Sequence, residues 1–450
     1  MNSNTTLRKS LSTYRDKRLL AIFCLGMASG FPWVLIGSAL TAWLQDEGLS
    51  RSAIGLFGVI FVAYSINFLW SPLLDRIQLL KMGQRRSWIL VTQLCIIILC
   101  IAMGFVSMPD QLYWVAAIGL GIAIASATQD IAIDAFRVDT IMPHEKAALS
   151  GASAMATAGW WTGYGGLGAI PFFLVDLSGF SWQTLYFAMA GLMALLTTTV
   201  FWIKEPVTSR NAYQADASAN YMSRLSLDSQ KLSHQIVSWL AVSLIEPFRE
   251  FFQRNGFKLA LSILLFIFLF KIGEAFLGRM SIVFYKEIGF SNTQIGSYSK
   301  LLNWWVTIVF AVIGGMVNMR YGIYRGLMVG GIAMAASNLM FSLMALAGPN
   351  TLLFAATVFV DGFTSAWSSV ALVAFISLLC NQAFSASQYA LMASLGVLGR
   401  TLLASSSGML VDGLAGNWAL FFLLTAIMVI PSLLFLRMIR VPIMKMEARH

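Results

Sequence analysis

The chain has 450 residues, 58% of them hydrophobic and 11% charged, with a formal net charge of +10 and a mean hydropathy of +0.75. That leaves too little polar surface to cover a soluble globule of this length, so the composition points to an all-α polytopic membrane protein. Cys24, Cys95, Cys100 and Cys380 fall in or at the end of apolar segments, away from the three histidines, so neither a disulfide framework nor a metal site is expected.

Residues 1–18 form a basic, polar tail, and the apolar run after them is too long for a signal-peptide core, so it reads as an uncleaved first helix. A helix needs roughly 20 apolar residues to cross the hydrocarbon. Six stretches of about that length occupy 19–44, 53–74, 87–106, 113–136, 149–173 and 184–203, and six more occupy 257–285, 295–317, 326–346, 352–379, 388–411 and 418–436. The expected domains are a six-helix bundle at 19–203, a linker at 204–256, a second bundle at 257–436 and a tail at 437–450. Within the linker, 236–252 reads as an amphipathic helix on the membrane surface, interrupted at Pro247, with Arg249, Glu250 and Arg254 on its polar side.

If the N-terminus lies inside, 24 of the 30 Lys and Arg fall in the inner segments and only Arg51 and Lys286 in the outer loops. Cytoplasmic loops hold positive charge, so both termini are expected in the cytoplasm, and the net charge needs no nucleic-acid partner.

Two phrases 241 residues apart, Gly48-Leu49-Ser50-Arg51-Ser52-Ala53-Ile54-Gly55 and Gly289-Phe290-Ser291-Asn292-Thr293-Gln294-Ile295-Gly296, each open a second helix and mark a duplicated unit. After the second helix comes Asp75-Arg76, then Gly83-Gln84-Arg85-Arg86. After the eighth comes a matching turn ending Arg320-Tyr321-Gly322. These turns resemble the loop signature of the major facilitator superfamily, though Ser71-Pro72 replaces its early glycine and 78–82 are extra. Such a carboxylate–arginine set can latch neighbouring helix ends; plain positive-inside anchoring explains Arg85 and Arg86 but not Asp75.

Charges inside the hydrocarbon are costly, so they mark function. The fourth segment carries Gln129, Asp130 and Asp134, with Arg137 and Asp139 at its end; the seventh carries Lys271, Glu274 and Arg279; the tenth carries Asp361 and the eleventh Arg400. In the superfamily fold, helices 1, 4, 7 and 10 line a central cavity. Asp130 and Asp134 share one helix face near the inner end and read either as a proton relay or as gate ion pairs with Arg137 or Arg76. Lys271 and Glu274 sit three apart and can pair. With Asp361 and Arg400 at similar depth they also read as a site for a large anionic or zwitterionic ligand, with a carboxylate left to carry a proton.

Trp43, Trp114, Trp182, Trp202 and Trp418 lie at segment ends and read as interface anchors; Trp33, Trp160 and Trp304 lie deeper and suit stacking on sugar rings, or plain packing. Pro32 is expected to kink the first helix, and Gly159, Gly163, Gly165, Gly166 and Gly168 to permit close, mobile packing of the fifth. Gly396, Gly399 and Gly408 hold the corresponding place in the eleventh, both helices being expected at the interface between halves.

The phrases Ala28-Ser29-Gly30-Phe31-Pro32, Phe68-Leu69-Trp70-Ser71-Pro72-Leu73-Leu74-Asp75-Arg76, Ala125-Ser126-Ala127-Thr128-Gln129-Asp130-Ile131-Ala132-Ile133-Asp134-Ala135, Lys271-Ile272-Gly273-Glu274-Ala275-Phe276 and Phe384-Ser385-Ala386-Ser387-Gln388-Tyr389-Ala390-Leu391 resemble the AmpG muropeptide permease family of the major facilitator superfamily. The resemblance implies twelve transmembrane helices in two six-helix repeats. It also implies proton-coupled import of anhydro-muropeptides, GlcNAc-anhydroMurNAc peptides, across the inner membrane of a Gram-negative bacterium, feeding peptidoglycan recycling and β-lactamase induction. On this reading Lys271, Glu274, Asp361, Arg400, Gln129, Trp33, Trp160 and Trp304 meet substrate. Asp130, Asp134, Glu274 and Asp361 carry protons, and Asp75, Arg76, Arg85, Arg86 and Arg137 gate. The expected partners are the muropeptide, protons and the bilayer, with no cofactor, no nucleic acid and a monomeric chain. Related permeases move siderophores or acetyl-CoA, which is the alternative substrate class. A membrane sensor is the alternative outside transport, and a membrane enzyme is disfavoured because neither a metal cluster nor a nucleophile triad is present in the sequence.

Overall fold

The apolar runs fold into helices, and among the described residues no strand interrupts them. The structure is a computed structural model and describes residues 13–49, 57–108, 110–142, 144–170, 174, 181–206, 245–290, 294–404 and 406–449. In chain order, α1 is Lys17–Leu44, α2 is Val59–Leu69 continued by Ser71–Arg76, α3 is Gln84–Gly104, α4 is Leu112–Thr140, α5 is Lys146–Trp161 and α6 is Trp182–Trp202. A connector helix at Glu246–Asn255 leads into α7 at Phe257–Glu287, α8 at Ser297–Tyr321, α9 at Ile323–Ala347, α10 at Thr351–Leu379, α11 at Ser385–Ala404 and α12 at Trp418–Met438. Nine of these described helices are long and apolar enough to cross a bilayer; α2, α5 and α11 are the exceptions. The repeat phrase at 50–55, the interdomain stretch 207–244 and the tail to residue 12 lie outside the described residues.

Breaks fall where the backbone is short of donors or where a polar side chain is buried. Pro32 sits inside α1, where its missing amide leaves the Ala28 carbonyl to Gln129 Nε2, and a π turn follows at Leu35–Ala39. The second segment, expected as one helix, is interrupted by a 3-10 turn at Asn67–Leu69 and restarts at Ser71 with Pro72 in its first turn. Helix α7 is interrupted after Leu269, with Lys271 preceding the restart at Ile272. The connector departs from a surface helix. Glu250 is buried, accepting from Asn381 Nδ2 (3.0 Å) and Gln388 Nε2 (2.6 Å), and Arg254 donates to the Leu379 carbonyl (2.6 Å). The connector's Arg254 thus serves the carbonyl end of α10 and its Glu250 holds the Asn381 and Gln388 side chains, which in turn accept from the Ala383 and Asn381 amides of the α10–α11 turn.

The duplication is carried in the hydrogen bonds. Glu205, just past α6, accepts from the Arg85 and Arg86 amides opening α3, whereas Glu447, past α12, accepts from the Ile323 and Tyr324 amides opening α9. Gly83 and Gly322 precede those two helix starts with φ of 109° and 87°, a region open to glycine but costly for other residues. At the other ends, Trp182 Nε1 donates to Asp46 (2.8 Å) and Trp418 Nε1 to Glu287 (2.7 Å). This corrects the interface-anchor reading of Trp43, Trp182 and Trp418, which are buried; Trp114 and Trp202 are exposed.

The glycines of α5 also act differently from expectation. A β-carbon on Gly159 would stand 2.3 Å from the Phe23 carbonyl oxygen, and one on Gly163 2.2 Å from that of Met27, so these residues press α5 onto α1 within one half. Gly399 likewise faces the Phe268 carbonyl of α7 within the other half. Across the halves, α5 meets α8, where Gly315 faces Ala154 and Trp304 covers Gly165 and Gly166.

The helix ends carrying Lys17, Arg85, Lys146, Arg254, Arg325 and Arg440 lie on one face, the basic end. There Arg18 bridges Asp16 and Glu145 at 2.8 and 2.7 Å, tying the start of α1 to the start of α5. The guanidinium donating to Glu145 holds its carboxyl below the usual range. A depressed folded value adds stability above the ordinary carboxylate range that disappears as pH falls through the folded value. We expect the melting-temperature difference between the wild type and Arg18→Gln to be full at neutral pH and to shrink as pH drops below the carboxylate range, measured by thermal scans in detergent.

Candidate functional site

Polar side chains cluster at three levels of the bundle. Nearest the basic end, Arg85 is fully buried: Nη2 donates to Asp75 Oδ1 (2.6 Å) and Ser385 Oγ (2.7 Å), Nε to Asp139 Oδ2 (2.8 Å), and Nη1 to the Leu74 carbonyl (2.8 Å). Asp75 in turn accepts from the Ala386 and Ser387 amides (3.2 and 2.9 Å) and from Ser387 Oγ (2.6 Å). A carboxylate thus sits on the free amides at the start of α11, where the helix end is electropositive, and one arginine joins α2, α3 and α4 to that start. Arg86 instead donates to the Val200 carbonyl, holding α3 to α6 within one half, and Arg76 ends the α2 continuation, half-buried.

One level deeper, Asp130 accepts from Ser29 Oγ (2.6 Å), and Asp134 pairs with Arg137 (3.1 Å). Arg137 also donates to Ser377 Oγ at 3.3 Å and lies 4.9 Å from the centre of the Tyr389 ring, so it contacts both α10 and α11. A cavity of about 240 Å³ opens here, lined by Ser29, Asp130, Asp134, Arg137, Trp160 and Tyr389. Gln129 is fully buried and donates to the Ala28 carbonyl (2.7 Å), fastening α4 to α1. Trp33 packs 5.9 Å from Trp160 and 4.4 Å from Tyr64, whereas Trp304 lies apart in the α5–α8 seam.

In the other half, the interruption of α7 places Lys271 against Glu274 in an ion pair, with Lys271 Nζ also on Ser368 Oγ (2.8 Å) and Ser365 Oγ donating to Glu274 (2.7 Å). A second cavity, about 140 Å³, is lined by Lys271, Arg400 and Tyr389. Asp361 accepts from Ser337 Oγ on α9 (3.2 Å), and Arg400 donates to the Gly396 carbonyl of its own helix (3.3 Å) and makes no ion pair among the described residues. Lys271 and Glu274 therefore satisfy each other, while Arg400 presents an unpaired cation to the cavity.

Val373 and Tyr389 line both cavities and stand between them. The partition thus combines one residue from α10 and one from α11, and the charged residues of the two halves face it from opposite sides. Tyr389 is the participant that sequence reasoning missed, along with Ser365, Ser368 and Ser385. The signal is present in Ser385-Ala386-Ser387-Gln388-Tyr389, a polar phrase opening a helix, whose side chains can donate and accept across the bundle. Hydrogen bonds between the halves include Arg85 to Ser385 and Arg137 to Ser377 near the basic end, with Ser394 to Asn67 (2.7 Å) and Tyr14 to the Val312 carbonyl (2.9 Å) farther along the helices.

The sequence pattern of the Major Facilitator Superfamily matches residues 22–299. The chain is 31% identical over 431 residues to the anhydromuropeptide permease of Escherichia coli strain K12, an alignment covering 96% of this chain and 81% of that one. It is 30% identical over 426 residues to a Rickettsia felis transporter named AmpG 4, covering 94% and 96%. In structure it resembles the proton:xylose symporter XylE bound to 6-bromo-6-deoxy-D-glucose, with TM-score 0.66, 15% identity and coverage of 94% and 95%, and FucP in the outward conformation, with TM-score 0.64, 14% identity and coverage of 95% and 99%.

Proposed function

The chain belongs to the major facilitator superfamily and, within it, to the AmpG permease family of inner-membrane transporters, which are not enzymes; on that footing we propose that it imports anhydro-muropeptides by proton-coupled alternating access. The reading places it in a Gram-negative cell with both termini and the basic end in the cytoplasm, working as a monomer. The observation that carries the substrate class is the pair of cavities meeting at Tyr389 and Val373, with Asp134 and Arg137 on one side and Lys271 and Arg400 on the other. A disaccharide offers ring faces to Trp160 and its neighbours, and a peptide with several carboxylates and an amino group suits an unpaired Arg400 beside a Lys271–Glu274 pair.

Alternating access follows from how the halves are joined. With the basic end tied by Asp75 and Arg85, substrate enters from the opposite end. It must displace the Tyr389–Val373 partition to bridge both cavities, and its carboxylates compete with Glu274 for Lys271. Protonation of Glu274, Asp361, Asp130 or Asp134 removes a charge that would otherwise stay desolvated as the halves rock.

The test is uptake of radiolabelled GlcNAc-anhydroMurNAc-tripeptide into proteoliposomes, with and without an inward proton gradient. Gradient-stimulated uptake is expected. Folded protein that moves none of it, yet moves a siderophore or another anionic conjugate, refutes the muropeptide assignment. At equal expression, Lys271→Ala is expected to reduce uptake at least tenfold, since it leaves the partly buried Glu274 without its cation. Glu274→Gln, Asp361→Asn and Arg400→Ala should each lower it, and near-normal uptake in all four removes the central site.

A further inference from the structure

Away from the central cavities, a lateral cavity of about 620 Å³ lies at the basic end between the start of α1, the end of α4 and the end of α6. Its walls include Leu20, Phe136, Trp202 and Ile203, with Leu20 and Trp202 about half exposed. Five charged residues border it: Lys17, Arg18, Lys204, Asp139 and Glu205. Both carboxylates are already engaged, Asp139 by Arg85 and Glu205 by the amides opening α3. Arg18 is held by Asp16 and Glu145. Lys17 and Lys204 are exposed and make no ion pair among the described residues. What remains is an apolar trough bordered by two ammonium groups that make no ion pair among the described residues, at the ends of two helices long and apolar enough to cross a bilayer.

We propose that this recess binds an anionic phospholipid, its phosphate between Lys17 and Lys204 and an acyl chain along Leu20, Phe136 and Trp202. Two features select this occupant. An apolar wall gives a soluble anion no reason to stay, whereas an acyl chain gains by covering it. An uncompensated pair of lysines at a membrane surface favours an anionic over a zwitterionic headgroup. The indole of Trp202 extends along such a chain in the amphipathic setting that suits it. The bound lipid would also lie against Asp139, which receives the latch arginine, so its occupancy reports on the basic end.

The full chain is reconstituted in phosphatidylcholine vesicles holding a minor fraction of phosphatidylglycerol, with bromine on the acyl chains of one lipid or the other. Quenching of Trp202 is read as the difference between wild type and Trp202→Phe. Per mole of brominated lipid, phosphatidylglycerol is expected to quench Trp202 roughly tenfold more than phosphatidylcholine, and raised salt should narrow the gap. Lys17→Ala with Lys204→Ala should bring the two lipids to parity while leaving Trp202 quenched by both, and Lys204→Ala alone should go part of the way. Equal quenching in the wild type, no quenching by either lipid, or a preference that survives the double substitution overturns the proposal.

Discussion

Replacing Arg85 by alanine is expected to cost about 3–5 kcal/mol and to lower the melting temperature by roughly 5–10 °C. The reason is burial: the guanidinium is fully enclosed and serves two carboxylates, Asp75 and Asp139, at 2.6 and 2.8 Å. Its removal leaves both in a low-dielectric setting without that cation, and the Ser385 hydroxyl on the opposite half without its donor. Milder changes separate the latch from folding. Asp75→Asn keeps the shape but weakens three contacts to the start of α11, and charge-assisted hydrogen bonds contribute about 1.5–3 kcal/mol each. Cys380, buried at the end of α10, reports the result in a background where Cys24, Cys95 and Cys100 are replaced. A membrane-permeant maleimide should label it roughly tenfold faster in Asp75→Asn than in the parent, the factor that about 1.4 kcal/mol brings. Unchanged labelling in a folded Asp75→Asn protein means that this contact does not control opening of the basic end.

Substituting Gly30 by alanine should be the most damaging single-methyl change in the first half. The added β-carbon would stand 2.1 Å from the Trp160 carbonyl oxygen, a backbone atom fixed by its own helix, so α1 and α5 must move apart. Overpacking of this kind costs about 1–3 kcal/mol or more. The damage reaches function because Trp160 lines the cavity holding Asp130 and Asp134. Uptake should fall together with thermal stability in Gly30→Ala, and also in Gly163→Ala, whose β-carbon meets the Met27 carbonyl at 2.2 Å. Gly191 is the control, with open space around its β-carbon, and Gly191→Ala should leave both measurements within error. Equal stability of Gly30→Ala and Gly191→Ala would show that the helices separate without penalty.

How much of the site was legible varies residue by residue. Asp134, Arg137, Lys271 and Glu274 announced themselves, because ionisable groups in or at the end of apolar runs are expensive and need a reason, and Asp75 and Arg85 were legible in the loop phrase after the second helix. Their partners did not. That Lys271 would pair with Glu274 follows from a spacing of three, yet Ser365 and Ser368 belong to a helix nearly a hundred residues later. Arg85 and Arg86 are chemically identical neighbours, but one faces α11 and the other the Val200 carbonyl, a difference set by which side of α3 is turned to the opposite half. Gln129 reads as a ligand in its phrase and serves as a fastener in the fold. The glycines of α5 were expected to serve motion between halves, yet Gly159 and Gly163 serve contact within one.

The sequence by itself determined the class, the helical runs and the duplication, because each is a one-dimensional property. Apolar length measures against hydrocarbon thickness, and a repeat is read along the chain. The superfamily was legible for the same reason, in a short phrase between two such runs. Only the tertiary structure decided which charges meet and what separates them: Tyr389 and Val373 between two cavities, Asp75 on the amides of α11, Glu250 turned inward to the α10–α11 turn. A hydrogen bond acts over about 3 Å while its partners stand hundreds of residues apart in the chain, so its identity exists only once the helices have packed.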